Sequence, residues 1–221
     1  MSDRQARARE VIRGLYPILD VAPGAEPRDV IARARALAVP GVKVMQVRAK
    51  AVADGLLYEI ASAVAAVCRS MSVALVINDR VDIAMAVGAA GVHLGSDDLP
   101  LSAARRILPA GIFVGRSTDS PDEAREAAEA GADYIAWGAC FPTATKPDAA
   151  AQEGPSALAR VRAAIPRTPL VAIGGITADR IPLVAAAGAD CFAVIGALRD
   201  ATDPAAEARA LAHAWETARH S

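Results

Sequence analysis

Eight short apolar runs alternate with Ala-rich segments of helical period along this 221-residue chain, and no linker, low-complexity tract or charge block divides it. The alternation, the length and the lack of a break predict an α/β chain folded as one (β/α)8 TIM barrel over residues 1–221, with 1–13 as an N-terminal extension. The strand-like runs are LYPIL (Leu15–Leu19), VKVMQVR (Val42–Arg48), ALVIN (Ala74–Asn78), GVHL (Gly91–Leu94), IFVGRS (Ile112–Ser117), YIAWG (Tyr134–Gly138), LVAIGG (Leu170–Gly175) and CFAVIG (Cys191–Gly196). They are short, and flanking turn residues bound them, which favours buried strands over helices.

The intervening segments read as helices. PRDVIARARALA, GLLYEIASAVAAVCRSM and SPDEAREAAEAG all place apolar residues at helical spacing. The last opens with a start signal: Ser120 as N-cap, Pro121 at the first helical position, then Asp122 and Glu123 in the first turn. A weak internal repeat, GAAGVHLG, GADYIAWG and GADCFAVIG, puts Gly88, Gly131 and Gly188 where a left-handed helix end hands over to a buried strand. The rival architecture is a doubly wound open sheet, but no GxGxxG opens a helix after the first run.

Composition narrows the function. Hydrophobic residues make up 53% and aromatics 4%, and the net charge is −1. No global field therefore favours nucleic acid or an anionic membrane, and any anion site must be local. Cys68, Cys140 and Cys191 lie far apart, form no CxxC pair and read as reduced core thiols of a cytoplasmic protein. The N-terminal stretch MSDRQARAREVIRG is polar, without the apolar core of a signal peptide, and no run reaches membrane-spanning length.

In a barrel the chemistry sits where strands end, so those residues carry the functional reading. Gln46, Arg48 and Lys50 share one face of the second strand by period two, and suit a phosphate or pyrophosphate. Asn78 and Asp79 end the third strand, and Gly95-Ser96-Asp97-Asp98 follow the fourth. Carboxylates from neighbouring strand ends can share a hard cation such as Mg²⁺ alongside phosphate oxygens. Asp98 reads equally as a cap for the helix that follows. His93 reads as a core or wall histidine, because no second His stands at a ligand spacing. Ser117 ends the fifth strand but belongs to no G-x-S-x-G elbow. The sixth strand runs into FPTATKPDA, which sets Thr143, Thr145 and Lys146 at a strand end. Gly174-Gly175 and Ile195-Gly196 close the last two strands, where many barrels cradle a phosphate with backbone N–H groups. Two anion sites result, one of side-chain cations with a possible metal and one of backbone amides, as two phosphorylated substrates would require.

The ordered set QVRAK, INDRVDIA, GVHLGSDDLP, FPTATK, AIGGI and GADCFAVIGAL resembles the thiamine phosphate synthase family, over nearly the whole chain from Leu15. The resemblance implies a (β/α)8 barrel that joins a hydroxymethylpyrimidine diphosphate to a thiazole phosphate with Mg²⁺, releasing pyrophosphate. It implies that Gln46, Arg48, Lys50 and Asn78 hold the pyrimidine diphosphate, that Ser117 contacts it, and that Asp79 and Asp98 hold Mg²⁺. Thr143 and Thr145 would line the thiazole phosphate site, Lys146 would reach the pyrophosphate, and Gly175, Ile195 and Gly196 would bind the thiazole phosphate. Arg48, Lys50 and Lys146 would stabilise the charge that develops on the leaving group, and no general base is needed, since the thiazole nitrogen has a free lone pair.

Two departures stand out. Family members usually read Gly-Gln-x-Asp where this chain has Gly95-Ser96-Asp97-Asp98, and many carry His where it has Asp119. The alternatives are a thiazole tautomerase of the sister family, which uses a His near that position, and a non-catalytic sensor of thiamine precursors. Asp119 argues against the first, and retention of Asp79 with Asp98 against the second. Whether the chain forms a homo-oligomer is left open.

Overall fold

A computed structural model describes residues 2–143 and 154–220. Eight parallel strands close into a barrel in sequence order: β1 (Gly14–Asp20), β2 (Val44–Arg48), β3 (Ala74–Asn78), β4 (Gly91–Leu94), β5 (Phe113–Thr118), β6 (Tyr134–Trp137), β7 (Leu170–Ile173) and β8 (Cys191–Val194), with β8 pairing back onto β1. Around and beneath them run α1 (Asp3–Val11), α2 (Pro27–Leu37), α3 (Asp54–Ser70), α4 (Val81–Ala86), α5 (Leu101–Ile107), α6 (Pro121–Glu129), α7 (Gly154–Ala164), α8 (Ile181–Ala186), α9 (Gly196–Arg199) and α10 (Pro204–His220). The predicted strands all appear, within a few residues of their expected bounds.

The local signals behave as expected. Ser120 caps α6 by accepting the Glu123 N–H at 3.1 Å. Gly88, Gly131 and Gly188 take φ of 64°, 96° and 91° just before their strands, a region that favours glycine because it has no Cβ.

Period-two alternation sorts the strands into two cores. Leu15, Met45, Leu75, Val92, Val114 and Ile135 face outward and pack with the helices. Tyr16, Ile18, Val44, Val76, Phe113, Tyr134 and Val171 fill the interior. Two glycines make that filling possible. A Cβ on Gly91 would lie 2.2 Å from the Phe113 ring, and one on Gly115 would lie 2.0 Å from the Tyr134 ring. Each glycine is the register partner of the aromatic residue on the next strand, so each ring occupies the space that a side chain would have taken.

The segment read from sequence as an extension contains α1, which plugs the barrel floor. Ala8 and Ile12 join the interior core with no exposed surface, and Arg4 reaches Asp133 at 3.2 Å. The floor is pinned by two matching clamps. Asp133 accepts from the Val114 N–H at 2.8 Å and from Arg105. Asp190 accepts from the Leu170 N–H at 2.9 Å and from Arg162 at 2.8 Å. In both, the arginine precedes the aspartate by 28 residues. The same arginines hold nearby carbonyls, Gly131 from Arg105 and Thr168 from Arg162. With this end closed, the carboxyl ends of the strands surround an open space.

Candidate active site

That open space is a cavity of about 650 Å³ at the strand carboxyl ends. Every site residue predicted within the described part of the chain lines it: Gln46, Arg48, Lys50, Asn78, Asp79, Asp98, Ser117, Thr143, Gly175, Ile195 and Gly196. Thr145 and Lys146 lie outside the described residues.

The two cations at the end of β2 each meet a carboxylate. Arg48 donates to Asp20 at 2.5 Å across the β1–β2 register, and Lys50 donates to Asp79 at 2.5 Å. Asp20 was not anticipated from the sequence. Its signal was weak: one charged residue closing an apolar run. Arg116 and Arg180, also missed, brace the rim: Arg116 holds the Gly95 carbonyl, and Arg180 donates to the Gly175 carbonyl at 2.6 Å while stacking on Phe141.

Asp79 is backbone-strained. It has φ of 61°, a left-handed conformation costly to most residues though more open to Asp, and its N–H donates to the His93 carbonyl at 2.8 Å. Its carboxyl is pushed up to about 6, by burial first and then by the hydrogen-bonded Asp98 carboxyl, against the pull of Lys50. For Asp98, burial also pushes upward, but the hydrogen bonds from Asp79 and from the Gly95 N–H, at 2.6 Å, outweigh it and hold the group below the usual carboxylate range. Asp98 does not cap α5, whose N-cap position is Pro100, so the alternative reading of Asp98 fails on geometry.

Two carboxyl groups close enough to share a proton form a site that a cation would relieve. Among the described residues no group of three or more His, Cys, Asp or Glu side chains gathers to hold a metal. A pair of carboxylates is a set that an ion completing its shell with water and phosphate oxygens can use, the habit of Mg²⁺.

His93 forms part of the wall, as expected. Its Nδ1 lies 2.9 Å from the Tyr134 hydroxyl and its Nε2 lies 2.9 Å from Ser117 Oγ. Burial pushes the imidazole down to about 4, so it is neutral at pH 7. Burial pushes the phenols of Tyr16 and Tyr134 up, so both keep their protons. The thiols of Cys68, Cys140 and Cys191 are free and buried, and burial raises all three, which leaves none as a nucleophile.

The glycines after β7 serve a purpose beyond close approach of a ligand. Gly174 and Gly175 have φ of 97° and 62°. A Cβ on Gly174 would lie 2.6 Å from Ala139 Cα, and one on Gly175 would lie 2.5 Å from the Pro142 carbonyl. Glycine is required here because the β7 end is packed directly under the chain that leaves β6.

A closed parallel barrel with its charged side chains gathered at the strand carboxyl ends defines the protein as a (β/α)8-barrel enzyme. The family model for thiamine monophosphate synthase matches residues 15–198, and the chain belongs to that family. A thiamine-phosphate synthase of Anaeromyxobacter dehalogenans is 42% identical over 97% of this chain and 93% of its own length. The thiamine biosynthesis bifunctional protein ThiM/ThiE of Symbiobacterium thermophilum is 46% identical over 85% of this chain, which spans only 38% of that longer protein. Among solved structures, a thiamine phosphate pyrophosphorylase from Pyrococcus furiosus superposes with a TM-score of 0.84 at 32% identity, covering 95% of this chain and 98% of that one.

Proposed function

We propose that this barrel is a Mg²⁺-dependent transferase that condenses the aminopyrimidine methyl diphosphate with the thiazole phosphate to give thiamine phosphate and pyrophosphate. The observation that carries the reading is that Gln46, Arg48, Lys50, Asn78, Asp79, Asp98 and Ser117, from four successive strands, converge on one cavity in a chain of this family. Arg48 and Lys50 each already hold an anionic carboxylate at 2.5 Å, a partner that diphosphate oxygens would replace. Their cationic charge, with that of Lys146, stabilises the leaving pyrophosphate as the C–O bond breaks. Asp79 and Asp98 would hold Mg²⁺ jointly with diphosphate oxygens, and the ion would supply further neutralisation of that leaving group. Gln46, Asn78 and Ser117 orient the pyrimidine. Thr143, Thr145, Gly175, Ile195 and Gly196 take the thiazole phosphate. The thiazole nitrogen then attacks the methylene carbon without a base.

Buried reduced thiols are consistent with a cytoplasmic enzyme. No helix among the described residues is long and apolar enough to cross a membrane. The test is incubation with both phosphorylated precursors and Mg²⁺, followed by product mass and pyrophosphate release. Formation of thiamine phosphate at a rate that depends on both precursors is expected. A protein that binds both and releases no pyrophosphate would be a sensor, not a synthase.

A further inference from the structure

Five buried or half-buried polar side chains run across the barrel interior along the wall of the cavity. Gln46 Nε2 donates to the Tyr16 hydroxyl at 3.0 Å. The Tyr16 and Tyr134 hydroxyls are 3.2 Å apart. Tyr134 meets His93 Nδ1 at 2.9 Å, and His93 Nε2 meets Ser117 Oγ at 2.9 Å. All five line the cavity, and the two ends, Gln46 and Ser117, belong to β2 and β5.

Each interior member is neutral and has one proton to give along the chain, so the directions of the four bonds are not independent. The Gln46 amide donates to Tyr16, so Tyr16 gives its own proton to Tyr134. Tyr134 must then give its proton to His93 Nδ1. A neutral imidazole accepting at Nδ1 carries its hydrogen on Nε2, which donates to Ser117 Oγ. Ser117 is left with its O–H free to donate elsewhere, and Gln46 is left with Oε1 free to accept. Turning the Gln46 amide over would reverse all four bonds and exchange the polarity of both ends.

We propose that Tyr16, Tyr134 and His93 form a one-way hydrogen-bond relay that presents Gln46 as an acceptor and Ser117 as a donor to the cavity, so that these three act as positioning residues selecting an amino-bearing over an oxo-bearing heteroaromatic ring. An exocyclic amine supplies the donor that Gln46 Oε1 lacks. An oxo group would set two acceptors against each other and leave buried polar atoms unpaired, which is the strongest form of discrimination a small pocket can make. The central ring is held in place for this task. Tyr134 occupies the space left by the missing Cβ of Gly115, packs edge-on against Tyr16 and Phe113, and stacks on His93 with ring centroids 5.5 Å apart. The Tyr134 ring is therefore held in place, which keeps its hydroxyl in reach of both Tyr16 and His93.

The ring preference rests on the proposed function, because it assumes that the cavity takes an aminopyrimidine diphosphate. The relay itself does not. Nitrogen-15 NMR of the full-length wild-type protein at neutral pH, with His93 assigned by comparison with His93→Asn, reads its tautomer directly. The Nε2–H form is expected, and observation of the Nδ1–H form overturns the relay. Tyr134→Phe removes one buried hydroxyl from the middle. It is expected to leave His93 as a mixture of tautomers, and to lower the kcat/KM preference for the 4-amino over the 4-oxo pyrimidine diphosphate about tenfold, mostly through KM. Tyr16→Phe, which breaks the chain at the other phenol, should give the same loss of preference. A pure Nε2–H signal and an unchanged preference in Tyr134→Phe would overturn the proposal. An Nε2–H wild-type signal in a protein that turns over neither ring would keep the relay and refute the synthase reading instead.

Discussion

At the barrel floor, Asp133 is fully buried and its carboxylate meets Arg4, Arg105 and a strand N–H, so its charge is matched by the fold itself. At the mouth, Asp79 is also largely buried, but it shares its surroundings with a second acid, pairs with the half-exposed Lys50, and is bound to a strained backbone. The residue types are the same at both ends. The floor has settled its charges within the chain, whereas the mouth sets two acids side by side. Floor aspartates should therefore carry stability and mouth charges should carry activity.

The comparison breaks most readily at the floor. Asp133→Ala strands two buried or half-buried arginines and should cost about 3–5 kcal/mol of stability, read by denaturant unfolding, with residual activity tracking the folded fraction. Asp190→Ala, in the matching but more exposed clamp, should cost distinctly less. Equal losses at the two positions would mean that burial is not what distinguishes the clamps.

At the mouth the sign reverses. Lys50→Ala should lower turnover roughly 10²–10³-fold, about 3–4 kcal/mol of barrier, with little change in unfolding midpoint. The same size of effect is expected for Lys146→Ala. A large stability loss with normal turnover would put Lys50 in the structural class with Arg105.

The pH dependence of stability sharpens the contrast further. Between about 4 and its ordinary 6.5, His93 is unprotonated in the fold but protonated in the unfolded chain, so its contribution to stability is lost as pH falls through that window. Asp79 acts in the opposite sense: between 3.8 and about 6 the fold holds a proton that the unfolded chain has released, so its contribution falls as pH rises. Burial sets most of the histidine's shift; of the charged groups facing it, Asp98 opposes the shift, and Arg116 and Lys50 add to it. The two slopes oppose each other in the wild type. Asp79→Asn should expose the histidine alone, giving stability that rises by up to about 3 kcal/mol from pH 4 to 6.5 in urea titrations. A slope in Asp79→Asn no steeper than in the wild type would show that the two groups do not oppose one another.

The smallest expected effect concerns the metal. Asp98→Asn keeps the shape of the side chain and removes one charge, so half-maximal rate should need roughly tenfold more Mg²⁺, with the unfolding midpoint nearly unchanged. Identical titration curves, or full wild-type rate in excess chelator, would leave the carboxylate pair without a metal.

The sequence by itself determined the strands, their order and most of the mouth. Hydrophobic period marks a buried strand locally, and a barrel places every strand end on one rim, so reading the residues after each run was enough to collect Gln46, Arg48, Lys50, Asn78, Asp79, Asp98 and Ser117 around one cavity. The capping of α6 by Ser120 and the left-handed turns at Gly88, Gly131 and Gly188 were legible for the same reason, since each depends on only a few adjacent residues. Only the tertiary structure decided what depends on residues distant in the chain. It turned the polar N-terminal stretch into the plug of the floor, paired Arg48 with Asp20, and settled Asp98 as a partner of Asp79 instead of a helix cap. It also placed Tyr16 and Tyr134, which look in sequence like ordinary aromatic residues of apolar runs, in hydrogen-bond contact 118 positions apart. Periodicity shows which way a side chain faces. Which side chain it meets follows from barrel closure and from the space that glycines such as Gly115 leave open for a neighbour.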